Sequence, residues 1–192
     1  MRRRILFNFY QHIETFDDLE HLLAILKMVT APTKNQLKLG TMVNLRNGLR
    51  PHRDTWFTYK NIISGIIGLS YEELKITKDN VLILFYRRKR MIKKMKEKKI
   101  RDFLASCGYE KCQCLEDHFE ILKFRFQKSC PDEIGVFLGY PLKDVIDFKK
   151  KTDTPCKCVG YWKCFNNVDS SKKAFERYDN VKFMEIKKIV GQ

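Results

Sequence analysis

The sequence predicts an α+β fold: a small, mainly antiparallel β-sheet, formed by a hairpin at 72–86 and a strand at 158–165, covered by helices on both faces. Three observations lead there. Val81-Leu82-Ile83-Leu84-Phe85-Tyr86 is apolar at every position, so both faces of that strand should be covered. Several flanking segments repeat apolar residues at helical spacing. The 192 residues are 44% hydrophobic and 12% aromatic, which is enough core for one folded domain of 1–192 without disulfide support. Residues 1–29 read as an N-terminal helical extension and 30–192 as the α+β core.

Residues 1–14 read equally as an edge strand or a helix start. At 15–29, Thr15 with Asp18 forms a capping pattern, and Phe16, Leu19, Leu22, Leu23 and Leu26 recur on one face of a helix. Pro32 stops it, and Thr33 is placed to cap a further helical segment over 33–43. An exposed basic loop follows at 46–53. A helix over 54–67 ends at Gly68. Residues 72–76, a four-residue turn at 77–80 and 81–86 make the hairpin. The stretch 87–107 is helical, with Lys99 on its apolar side, so that lysine must snorkel or the helix must break beside it. Residues 116–127 form another amphipathic helix. In 131–148, Pro131 with Asp132 and Glu133 opens a helix, Gly139 closes it in a left-handed conformation, and Pro141 restarts a second one. Cys158 to Phe165 has strand composition and joins the sheet as an outer strand. Asp169 caps a last helix, and 181–190 is ambiguous between helix and strand. No internal repeat is present.

Thirty-eight Lys and Arg against 23 Asp and Glu give +15, which draws polyanions over long range. Ten of those cations lie between Arg87 and Arg101, against Glu97 alone. Arg87, Arg88, Lys89, Arg90, Lys93, Lys94 and Lys96 are therefore the candidate anion-binding residues, for nucleic acid or another polyanion, although such runs are also ordinary solvated faces. Seven cysteines, the absence of a secretory pattern and the lack of a long apolar stretch predict a cytoplasmic protein without a membrane span. Cys112 and Cys114 with His118, and Cys156, Cys158 and Cys164, do not have zinc spacing, so no metal and no cofactor is assigned. His12, His21 and His52 are isolated in sequence.

The pair at 131–148 also fits the spacing of a DNA-binding helix-turn-helix. Its second helix, however, would present Leu142, Lys143, Ile146 and Asp147 to a groove, and apolar or acidic groups read bases poorly. A buried helix pair is the competing reading.

Four stretches resemble a family of uncharacterised bacterial proteins, domain of unknown function 3793. They are Ala31-Pro32-Thr33 with Lys38; Phe85-Tyr86-Arg87; Glu133 to Leu142 with Asp144-Val145; and Gly160-Tyr161-Trp162-Lys163. The resemblance brings no established activity with it. Family members tend to carry His-Cys before Ala-Pro-Thr and a His before the Glu of the glycine block, where this chain has Val29, Thr30 and Asp132. That implies the loss of any thiolate or imidazole chemistry placed there. The shared blocks nominate Lys38, Glu133, Tyr140 and Lys163 as a ligand-binding set, with Glu133 the candidate catalytic carboxylate or, equally, a helix-dipole partner. The reading is a non-enzymatic binding or regulatory protein for an anionic partner. The alternatives are an enzyme or small-ligand site around Glu133, Lys38 and Lys163, and a metal- or redox-linked protein.

Overall fold

In the computed structural model, which describes residues 2–150 and 155–191, the sheet has three antiparallel strands in the order β1-β3-β2. They are β1 (Gly40–Arg46), β2 (Ser70–Ile76) and β3 (Asn80–Tyr86). The apolar strand is central, as its composition requires. Val81, Ile83 and Phe85 face one layer with Leu45, Trp56, Ile63 and Ile67. Leu84 and Tyr86 face the opposite layer with Phe119, Leu122 and Phe137. Alternation along β3 thus splits the core in two, and helices cover both halves.

Two segments differ from expectation. The third strand is β1, not the stretch 158–165, which pairs with itself as β4 (Cys158–Val159) and β5 (Lys163–Cys164) in a separate two-stranded ribbon. Where a helix is expected over 33–43, α2 (Asp18–Lys34) instead runs through Pro32 and stops. Gln36 takes a left-handed φ of 61°, and the amides of Leu37 and Lys38 both return to the Pro32 carbonyl at 2.9 and 3.0 Å. That closes the helix and turns the chain into β1, where Thr41 and Val43 suit a strand. Asp17 caps α2 through the Glu20 amide, so Thr15 is not the cap; its hydroxyl donates to the His12 carbonyl of α1 (Arg2–Ile13).

The remaining helices follow the expected spans closely. α3 (His52–Ile67) ends at Gly68 with φ 72°. The loop before it is not free, since Arg50 donates to the Phe16 and Glu14 carbonyls and to Asp18. The basic stretch breaks after Met95 into α4 (Arg88–Met95) and α5 (Lys98–Leu104), then closes in a wider turn, Ala105–Tyr109. The break puts Lys99 on the exposed side. α6 is Leu115–Lys128, and α9 (Val168–Val190) absorbs the ambiguous segment into one 23-residue helix capped by Asn167 rather than Asp169. Of the stretches read from sequence, Met1 and the residues 151–154 lie outside the described part.

The helix pair is shorter than its sequence suggests, α7 (Ile134–Leu138) followed by α8 (Leu142–Lys150). Gly139 has φ 80°, and a Cβ there would stand 2.7 Å from that of Leu39. A Cβ on Gly135 would stand 2.7 Å from a Val145 methyl. The turn is thus held against the start of β1 by contacts that leave no room for a side chain. Gly139→Val should destabilise by about 2 kcal/mol or more, from the left-handed penalty plus the clash. Gly48→Val is the control, with nothing near its Cβ. Melting temperatures report the difference, and equal values for the two variants would contradict the packing.

Candidate ligand-binding site

The four residues nominated from the family blocks do not converge on one point. Glu133 is fully buried, and its carboxylate faces Arg125 in an ion pair and accepts from the Tyr109 hydroxyl at 3.2 Å. Arg125 also donates to the Cys107 carbonyl at 3.3 Å. Burial, with the Glu133 charge beside it, pushes the Tyr109 phenol well up. This network fastens α6 and the Ala105–Tyr109 turn to the entrance of α7. The charge of this carboxylate is thus met inside the fold.

Lys38 and Tyr140 do meet. Lys38 is only 7% exposed, and its ammonium lies 5.6 Å from the Tyr140 ring centre and 5.8 Å from that of Tyr161. Among the described residues no carboxylate pairs with it. A second cation, Lys182 of α9, stands 4.7 Å from the same Tyr161 ring. Burial, and then the Lys182 charge, lowers the Lys38 pKa from 10.5 to about 8. Burial also lowers Lys182, with Asp179 opposing the shift. Two cations share one aromatic wall, and cation–π attraction is worth only about 0.5–2 kcal/mol each. That does not replace the water or anion a buried ammonium ordinarily requires.

Tyr140 also borders a cavity of about 390 Å³ lined by Gly135, Val145, Phe148, Trp162 and Lys163 among others, with Cys130 and Asp132. Burial raises the Tyr140 pKa to about 12, so its phenol stays protonated. Asp144 builds one wall by accepting from Trp162 Nε1 and from the Phe165 and Asn166 amides, each at 3.0 Å. These bonds draw the β4–β5 ribbon onto α8 and fix Trp162 at 5.1 Å from Tyr140. Lys163 is exposed and lies over Phe148, 5.5 Å from its ring centre. The set therefore divides: Lys38 meets Tyr140, Tyr140 and Lys163 border the cavity, and Glu133 is held apart with Arg125 and Tyr109.

Residues missed from sequence are Lys182 and Tyr161 beside Lys38, and Arg125 and Tyr109 beside Glu133. Tyr178 and Lys182, four apart, would have signalled a shared face had 181–190 been read as helix.

The basic run is also divided. Arg87 and Arg90 fold inward, onto the carbonyls of Lys34 and Gln36 respectively. Arg88 pairs with Glu116 and Lys94 with Glu97. Lys89, Lys93 and Lys96 are exposed and unpaired among the described residues. Elsewhere, Cys112, Cys114 and His118 border a second cavity of about 610 Å³, with His118 Nδ1 at 2.7 Å from the Cys114 carbonyl. The isolated His21 and His52 stack, with Nδ1 and Nε2 2.9 Å apart. Burial lowers both.

Fold and site together define an α+β protein with an apolar cavity beside a buried lysine that lacks a counter-ion among the described residues. The family model described as Protein of unknown function (DUF3793) matches residues 26–191, and the chain belongs to that family. No curated protein and no solved structure matches it. No described helix is long and apolar enough to cross a membrane.

Two outcomes are expected. Glu133→Gln should lower unfolding free energy by on the order of 2 kcal/mol, because Arg125 loses its counter-charge yet still reaches water; denaturant melts measure this. Between pH 8 and 10.5 the unfolded chain keeps the Lys38 proton that the folded chain releases, so this group makes stability rise with pH across that window. Stability of the native chain relative to Lys38→Met should therefore climb from pH 8 to 10.5, by on the order of 3 kcal/mol. A flat difference would show that the amine is solvated.

Proposed function

We propose that the protein binds a small organic anion with an apolar body, its charge met by Lys38 and Lys182 and its body lying against Tyr140 and Trp162. The observation that carries this reading is the buried Lys38 ammonium, which has aromatic rings around it and no carboxylate paired with it among the described residues. Anions pay for desolvating such a group by forming charge-assisted hydrogen bonds. The cavity lined in part by Ile134 and Gly135 of the family's Glu-Ile-Gly-Val block offers apolar enclosure, with Lys163 the one cation at its border among the described residues. A binding role for an anion fits the overall charge of +15.

Phenylacetate and 3-phenylpropionate should quench or shift tryptophan fluorescence, and their amides should bind about tenfold or more weakly, as expected for loss of a charge-assisted contact. Lys38→Met should erase the difference between acid and amide. Equal affinity for acid and amide in the native chain would remove this reading.

A second reading, a polyanion face on α4 and the residue after it, is favoured by Lys89, Lys93 and Lys96, exposed and unpaired among the described residues. Arg87, Arg88, Arg90 and Lys94 are engaged within the protein, so few phosphate contacts are left. Binding to single-stranded nucleic acid should then show a log–log salt slope of only about −2, at about −0.7 per contact. Reversing the charge of Lys89, Lys93 and Lys96 together should abolish it; filter binding across salt concentrations decides, and retention by the triple variant would refute this face.

A further inference from the structure

We propose that Lys38 forms an imine with small 2-oxo acids, Lys182 holding the carboxylate while the Lys38 amine adds to the adjacent carbonyl carbon. The proposal rests on the anion-site reading above and adds a reaction to it.

A lysine becomes a nucleophile when its environment favours the neutral amine, and enzymes reach that state by desolvating it and by setting another cation beside it. Both conditions are present here. Lys38 is held at the turn between α2 and β1, where its own amide and that of Leu37 are fixed on the Pro32 carbonyl. Its side chain enters a box of aromatic faces, Tyr140 and Tyr161. Lys182 lies over the second of these rings. No acidic side chain pairs with Lys38 among the described residues; Asp179 accepts from the Tyr161 hydroxyl at 2.7 Å and its charge acts on Lys182. The lowered basicity of the amine, to about 8, agrees with this geometry.

A 2-oxo acid matches the pair because its carboxylate and carbonyl carbons are directly bonded. One cation then takes the charge while the other group meets the carbon. The neutral amine donates its lone pair to the carbonyl carbon, and a proton passes from nitrogen to the oxygen, giving a carbinolamine. Loss of water leaves C=N. The step consumes one carbonyl compound, releases one water and needs no oxidant or reductant.

The simpler alternative is a structural ammonium that only packs against tyrosine rings. Pyruvate with sodium cyanoborohydride separates the two, because hydride traps an imine as a stable secondary amine. On the full chain near neutral pH, peptide mapping by mass spectrometry should find the carboxyethyl adduct on Lys38 about tenfold or more faster than on exposed Lys89 or Lys93, as expected for a desolvated lysine beside a cation. Lys182→Met should slow labelling by pyruvate more than labelling by acetaldehyde, which has no carboxylate. Labelling of Lys38 no faster than of Lys89 overturns the proposal. Equal slowing for the two reagents overturns the carboxylate role of Lys182. If phenylacetate binds in a Lys38-dependent way while pyruvate leaves Lys38 unmodified, the imine falls and the anion site stands; if neither reagent registers, both fall.

Discussion

The segment Leu39-Gly40 and the turn Phe137 to Gly139 approach so closely that neither side has room for a further carbon. A Cβ on Gly40 would meet the Phe137 carbonyl at 2.7 Å, and one on Gly139 would meet Leu39 at the same distance. Two glycines from stretches a hundred residues apart in the chain thus seat the helix pair on the first strand. The contact stands next to Lys38 on one side and Tyr140 on the other. The placement of the amine against the ring follows from backbone packing, which has fewer alternatives than a side-chain contact would.

Glycine 139 and the apolar strand were legible in the sequence because each has one physical meaning: a left-handed stop after Leu138, and a strand covered on both faces. The edge strand Gly40–Arg46 was not, since its first residues follow a proline and a threonine that read as a helix start. The left-handed Gln36 that ends α2 has no propensity signal of its own. Strand composition at Cys158 to Phe165 was real, but composition does not name a partner. Asp144 draws that ribbon to α8, away from the sheet.

The candidate site was half legible. Lys38 and Tyr140 could be nominated together only because they belong to shared sequence blocks, and no spacing rule joins residues a hundred positions apart. Glu133 carried the same nomination, yet its partner Arg125 lies eight residues back on α6, beyond any local rule. Likewise, a run of ten cations looks uniform in sequence. Only the fold shows that two arginines are spent on the carbonyls that end α2, where they meet partial negative charge.

The first helix lies before the stretch matched by the family. Its Phe9 and Ile13 are buried with Ile186 of α9, one turn beyond Lys182 on the same helix. A segment that precedes the family match therefore buttresses the element that carries the second cation. The matched part of the chain supplies the amine and the rings, and the helix before it packs on the same α9 that carries the neighbouring charge. A change in the packing of this first helix would therefore reach the basicity of the lysine through the distance to that charge, leaving the aromatic box itself untouched.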